Sequence, residues 1–219
     1  MLQQINKKII FYISLVIILS TFNNKNFNLP KINIVDVEGI EFNENEYTKI
    51  MNFIKFNNLL SIQKSQIKEI LNSNNLIEEY EVFKKYPSSL EIKIEKTNFL
   101  ASTNVNGKNY IVGSNGKFIN TKEYSQNLPF IFGNFETEKF LEFKKIILQT
   151  NFKYNNIKNF YYFPSGRWDI EMISGVLIKL PITGIKESLN LSIDLLYNIE
   201  FSNIKTLDIR QKNQIVIND

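Results

Sequence analysis

Near its start the chain carries an unbroken apolar run at 9–22 (IIFYISLVIILSTF), set directly behind Lys7 and Lys8. The run is shorter than the roughly 20 residues that comfortably cross a hydrocarbon core. No small-residue cleavage site follows it, because Ser20-Thr21-Phe22-Asn23-Asn24 puts Phe and Asn where one would sit. These flanks predict a retained transmembrane signal anchor in preference to a cleaved signal peptide. The two lysines would snorkel to the headgroups and hold the N-terminus on the cytoplasmic side. Past a polar spacer, alternation at 32–40 with Val35 and Val37 on one face predicts a strand closed by Glu38-Gly39. Asn43-x-x-Glu46 is an Asn variant of the capping box, and Tyr47, Ile50, Met51 and Ile54 follow at helical spacing. Ile67, Ile70 and Leu71 predict a second helix, ended by the Asn-rich stretch 72–75. The period then returns to two. Residues 77–85 and 90–96 flank a turn at Tyr86-Pro87-Ser88-Ser89, with Leu90, Ile92 and Ile94 inward and Glu91, Lys93 and Glu95 outward.

The second half predicts strands and helices in alternation. A hairpin at 110–118 has Asn115-Gly116 as its type I′ turn. A helix from about Glu136 to Leu148 aligns Phe140, Phe143 and Ile147, and a hairpin pairs 167–172 with 175–180. A further helix at about 185–197 aligns Leu189, Ile193 and Leu196, and a last strand runs from Leu207 through Val216 and Ile217. The fold class expected is α+β: one N-terminal transmembrane helix, a β-α-α-β-β unit, then a mostly antiparallel β domain with flanking helices. The corresponding segments are a cytoplasmic stub at 1–8, the anchor at 9–22, a linker at 23–31, and domains at 32–98 and 99–219.

Composition removes more chemistry than it adds. The chain has neither Cys nor His, which excludes disulfides, thiolate and imidazole metal sites, and Ser-His-Asp or Cys-His catalysis. The net charge of +4 is carried almost wholly by Lys. No basic stripe with interleaved aromatics forms, so nucleic acid is not an expected partner.

Ser65-Gln-Ile-Lys68 spells S-x-x-K but lacks the companion elements of a transpeptidase domain, and it falls on a short amphipathic helix. Asp169 and Glu171 share a strand face as a glycosidase pair might, yet no groove accompanies them; a solvated face opposite Trp168, Ile170 and Met172 accounts for both. Gly113 and Gly116 are turn residues, since no GK[ST] follows. Arg167 and Arg210 stand out as the only arginines among 26 basic residues. In a chain that otherwise uses Lys, two Arg positions point to a need for a planar, bidentate donor. Each is suited either to a partner's carboxylate or to an internal pair, with Asp169 and Asp208 as the internal candidates. The last strand, so near the C-terminus, is expected to be an edge able to template a partner strand, with polar Gln211, Lys212, Asn213 and Gln214 in its middle to discourage self-pairing.

The order β-α-α-β-β behind an anchor resembles a POTRA module, and the residues carry the resemblance further. Val82-Phe-Lys-Lys-Tyr-Pro87-Ser-Ser-Leu90-Glu-Ile-Lys-Ile94, with Leu100-Ala101, is similar to the corresponding segment of the FtsQ/DivIB cell-division family. So are Tyr110-Ile-Val-Gly113 through Asn115-Gly116-Lys-Phe118, Leu128-Pro129 with Gly133, and Arg167-Trp168-Asp-Ile170-Glu-Met172 with Gly175-Val-Leu-Ile178-Lys-Leu180. Leu207-Asp208-Ile209-Arg210 resembles the family's terminal "Val-Asp-Leu-Arg". Phe99 stands where the family has Pro, and Gly113 where it has Asp.

The resemblance implies a non-catalytic scaffold of the divisome in the bacterial inner membrane, single-pass, with its bulk periplasmic at the septum. Implied partners are FtsB/FtsL-type coiled-coil proteins and, indirectly, the septal peptidoglycan synthase complex. The residues it marks for partner binding are Asp208, Ile209, Arg210, Gln211, Asn213, Ile215, Val216, Ile217 and Arg167. It implies no catalytic residue, cofactor or metal. The competing reading is a POTRA-type periplasmic peptide-binding module of a transport or outer-membrane assembly system, which predicts further POTRA repeats or a β-barrel.

Overall fold

The structure, a computed structural model, describes residues 7–22, 30–39, 44–120, 128–197, 204–211 and 214–218. The apolar run forms a helix, α1 (Lys7–Phe22), of 16 residues. At 1.5 Å per residue it is about 24 Å long, short of the roughly 30 Å hydrocarbon core. No helix among the described residues is long and apolar enough to cross a membrane. The transmembrane helix expected at 9–22 is therefore corrected: Lys7 and Lys8 on one side and Ser20, Thr21 and Asn23 on the other leave too few apolar residues for a span.

Then follow β1 (Ile34–Glu38), α2 (Glu44–Lys55), α3 (Lys64–Asn72), β2 (Ile77–Lys85) and β3 (Ser89–Lys96), whose strands form a three-stranded sheet in the order β1-β3-β2. Asn43 of the capping box lies outside the described residues. Leu90, Ile92 and Ile94 are all buried, as their alternation requires. Ile50 and Ile54 are buried too, but Tyr47 is 46% exposed, since it sits in the first turn of α2 beyond the buried patch.

The chain divides into two compact units, residues 1–67 with 82–92, and residues 68–81 with 93–219. In the first, Ile32, Ile50, Ile54, Leu59, Ile62 and Ile92 form the interior. The Lys84 ammonium donates to the Leu59 and Ile62 carbonyls at 2.6 and 3.0 Å, satisfying the loop that follows α2.

The second unit is built on β4 (Phe99–Val105), β5 (Lys108–Gly113), β6 (Phe118–Ile119), β7 (Phe130–Phe132), α4 (Thr137–Leu148), β8 (Ile157–Tyr162), β9 (Trp168–Met172), β10 (Leu177–Lys179), α5 (Ile185–Leu196), β11 (Thr206–Gln211) and β12 (Gln214–Asn218). Its nine strands run in the order β12-β11-β10-β9-β8-β7-β4-β5-β6, an open sheet with two ends. Pairing is parallel at β4/β7, β7/β8 and β10/β11 and antiparallel elsewhere. The two helices explain two of the parallel joins, because α4 connects β7 to β8 and α5 connects β10 to β11. Phe140, Phe143 and Ile147 of α4 and Leu189 of α5 bury against Phe160, Trp168, Ile170, Ile178 and Leu207 of the sheet. The Phe143 and Trp168 rings stack with centroids 4.9 Å apart, and Phe140 meets Phe160 edge-on at 5.5 Å. A ring cluster of this kind adds directional packing to the area it removes from water.

Two turns differ from expectation. Asn106 and Gly107, at φ 52° and 78°, join the paired residues Val105 and Lys108, which is the two-residue type I′ arrangement. At Asn115-Gly116 only the glycine is left-handed. There the chain closes a wider loop, with the Gly113 N–H donating to the Lys117 carbonyl at 3.0 Å. The second difference is at the C-terminus. The single last strand expected from Leu207 to Ile217 is a hairpin: Gln211 faces Gln214, so the chain reverses between them and β12 folds back on β11.

Candidate functional site

Because of that reversal, the outermost strand is β12 and not the Leu207–Arg210 segment. β11 is held on both sides, by β10 at Ile178↔Leu207 and Lys179↔Asp208 and by β12 at Leu207↔Ile217 and Asp208↔Val216. Leu207 and Ile209 point into the core. Asp208 and Arg210 alternate onto the opposite face; Gln211 is exposed, and Asn213 lies outside the described residues. On β12, Ile217 packs against the core, whereas Ile215 is 39% and Val216 51% exposed. β12 has β11 on one side and, among the described residues, no strand on the other. An extended edge of this kind offers a row of main-chain donors and acceptors to an incoming strand.

The arginines are engaged within the chain. Arg210 Nε lies 2.8 Å from Asp208 Oδ1 and its Nη2 lies 2.6 Å from Oδ2. That contact holds the Asp208 carboxyl below its ordinary range. Arg167 grips Asp169 through Nε at 3.1 Å and Nη2 at 3.3 Å, and its guanidinium lies 4.1 Å from the centre of the Phe163 ring. Each arginine thus forks onto an aspartate two residues away on the same strand face. Both nevertheless line one hollow of about 440 Å³, together with Tyr161, Glu171 and Lys179.

Asp169 and Glu171 do share a face, but it is not a plainly solvated one. Asp169 is only 3% exposed, and burial raises its pKa against the pull of Arg167. Glu171 accepts from the Tyr161 hydroxyl at 2.6 Å, Asn159 Nδ2 at 2.8 Å and Lys158 Nζ at 3.0 Å. The Tyr161 and Asn159 hydrogen bonds, the largest causes, hold its carboxyl at about 2. A carboxyl so committed to the ionised form is poorly suited to proton transfer near neutral pH. On the core side of the hairpin a groove of about 690 Å³ lies between the start of α5 and β12, lined by Thr183, Glu187, Leu191, Ile209, Arg210 and Ile215. It gives room beside the edge for side chains of an added strand.

Elsewhere the chemistry is thin. Ser65 and Lys68 lie exposed on α3 while Ile67 is buried. Asp36, Glu38 and Glu91 form the one carboxylate cluster with metal-like spacing among the described residues, and Lys85 Nζ already stands 3.0 Å from Glu91. The features that sequence reasoning missed are the ends of β12, Gln214 and Asn218, and the hollow shared by the two arginines; the apolar run Ile215-Val216-Ile217 bounded by two amides is the only signal for the former.

Against known proteins, the family model for the C-terminal part of cell division protein FtsQ/DivIB matches residues 101–210. A cell division protein FtsQ of Rickettsia bellii (strain RML369-C) is 25% identical over 195 residues, which cover 85% of this chain and 72% of that protein. Among solved structures, the major extracytoplasmic domain of the trans isomer of the cell division protein DivIB from Geobacillus stearothermophilus is 14% identical. It covers 51% of this chain and 99% of that one at a TM-score of 0.36, too low to carry an argument.

Proposed function

The chain belongs to the FtsQ/DivIB family of cell-division proteins, and we propose that it is a non-catalytic scaffold of the divisome that binds FtsB/FtsL-type coiled-coil partners through the outer edge of β12. In this role it recruits and regulates septal peptidoglycan synthesis through those partners. It works at the bacterial inner membrane of the division septum, with its bulk on the periplasmic face. Residues 32–98 act as a POTRA domain that holds other division proteins.

The observation that supports this reading is the open β12 edge with Ile215 and Val216 exposed. Main-chain pairing supplies affinity, and the groove beside α5 together with Asp208, Arg210 and Arg167 on the opposite face supplies selectivity. The test is capture of a purified FtsB-type partner by the full chain and by a chain ending at Gln211. Capture is expected to fall to background once β12 is removed. Equal capture by a truncation that keeps the folded circular dichroism spectrum overturns the edge-strand site.

A further inference from the structure

β12 reads Gln214-Ile-Val-Ile-Asn218, and its polarity is the same from either end: amide, Ile, Val, Ile, amide. Natural edge strands are guarded against pairing with their own kind by Lys, Pro, a bulge or an inward charge. The polar stretch that the sequence suggests as such a guard, Gln211 to Gln214, falls instead at the reversal between β11 and β12. The strand proper is left without a charged residue or a proline, and the register shift in this pairing, between Asp208 and Gln211, puts its extra residue on β11 and not on β12.

Two copies related by a two-fold axis present the same strand to each other in antiparallel sense. With the axis at Val216, Val216 faces its own copy, Ile215 faces Ile217, and Gln214 faces Asn218. Apolar side chains then meet apolar ones, amides meet amides, and no like charges are opposed. Since alternate residues of a strand turn both main-chain groups to one side, this register closes a ladder whichever set of residues points outward.

We propose that β12 of a free chain pairs antiparallel with β12 of a second copy about Val216, so that self-pairing and partner pairing exclude each other. The exclusion is physical: a single row of N–H and C=O groups serves both. The proposal rests on reading β12 as a pairing edge. A ladder of five residues is well below the size of a stable interface. Self-association is therefore weak and concentration-dependent, and a partner with contacts beyond the strand displaces it.

The chain contains no cysteine, so an introduced one reports its position without background. The full-length Val216→Cys and Ile215→Cys variants are oxidised across a series of protein concentrations in mild detergent, because α1 exposes apolar side chains. A residue on the axis meets its own copy within disulfide reach, whereas Ile215 and its copy are offset by about 7 Å along the strand. Val216→Cys is expected to cross-link about tenfold faster than Ile215→Cys, with a rate that rises with concentration. A mixture of Gln214→Cys and Asn218→Cys is expected to cross-link faster than either variant alone. Equal rates at 215 and 216, with no gain in the mixture, overturn self-pairing. Partner capture is measured separately with the chain ending at Gln211, so the wider edge-strand reading stands or falls on its own result.

Discussion

At one end of the large sheet β6 is only two residues long, and the loop leading into it, 114–117, is bonded to residues 72–78. At the other end β12 is five residues long, with Ile215 and Val216 turned to solvent. The closed end is held by a set of reciprocal bonds. Asn115 Nδ2 donates to the Asn75 and Ile77 carbonyls at 2.9 Å each, and Asn75 Nδ2 donates to the Phe118 carbonyl at 2.8 Å. Lys117 Nζ reaches the Asn72 carbonyl at 3.0 Å, and the Ser114 hydroxyl donates to the Glu78 carboxylate at 2.6 Å. One of these bonds occupies a main-chain carbonyl of β6 itself, at Phe118, and the others tie residues 72–78 to the loop that leads into β6. An edge that a chain satisfies by itself is structural, and an edge of full length that, among the described residues, no strand covers is available for assembly.

The first way to break this contrast is Asn115→Ala. It removes both donations and also the Oδ1 that accepts the Lys117 N–H at 3.0 Å. The expected loss is about 1–3 kcal/mol of unfolding free energy, measured from the urea midpoint. Val216→Thr at the open end is expected to move the same midpoint by less than about 0.5 kcal/mol. Similar shifts at the two sites would erase the distinction between a structural edge and an assembly edge.

Much of this architecture is written in periodicity. Phe140, Phe143 and Ile147 share a helical face because they must cover the sheet, and Leu90, Ile92 and Ile94 alternate because one face of β3 is buried. What escaped was decided by weak or duplicated local signals. Arg210-Gln-Lys-Asn-Gln214 contains neither Gly nor Pro, so nothing in it announces the reversal that makes β12 a separate strand. Two Asn-Gly pairs compete for one kind of turn. Asn106-Gly107 takes it, while Asn115 is drawn off by the carbonyls of residues 75 and 77, contacts remote in sequence. The pairing of Asp169 with Arg167 was legible, but its burial was not, for a similar reason: the Leu180 N–H that meets it at 3.3 Å comes from the chain just past β10. The apolar run at 9–22 does form a helix, but the transmembrane span expected there is not supported, because its length and apolarity fall short of one.

A smaller effect concerns the sheet face next to the open end. The Glu171 carboxyl titrates near 2 in the folded chain against an ordinary value of 4.5. The unfolded chain therefore binds this proton more readily, so the stability it contributes is complete above about pH 4.5 and is lost as pH falls toward 2. Asp169 works in the opposite sense: burial raises its pKa, so its ionisation opposes folding as pH rises through its folded value. Glu171→Gln is expected to flatten the acid limb of a stability–pH curve by about 1–2 kcal/mol, allowing for solvent screening. An unchanged limb would mean that the Tyr161, Asn159 and Lys158 contacts do not fix this face.

The smallest expected change in stability comes from Arg210→Lys, which separates what the open end does for the fold from what it does for a partner. Arg210 is 44% exposed and binds Asp208 through Nε and Nη2. An exposed pair of this type contributes little to stability, and Lys keeps its charge, so the urea midpoint should hardly move. A guanidinium carries more N–H donors than this pair uses, and the rest are available to a carboxylate on an incoming strand. Lysine offers a point charge without the planar fork and cannot hold two carboxylates in that geometry. If the guanidinium bridges Asp208 and a partner, affinity in the capture assay falls about tenfold, equivalent to about 1.4 kcal/mol, at nearly constant stability. Unchanged affinity assigns Arg210 wholly to Asp208. Recognition would then lie in the main chain of β12 and in the groove beside α5, and the two ends of the sheet would differ in backbone exposure alone.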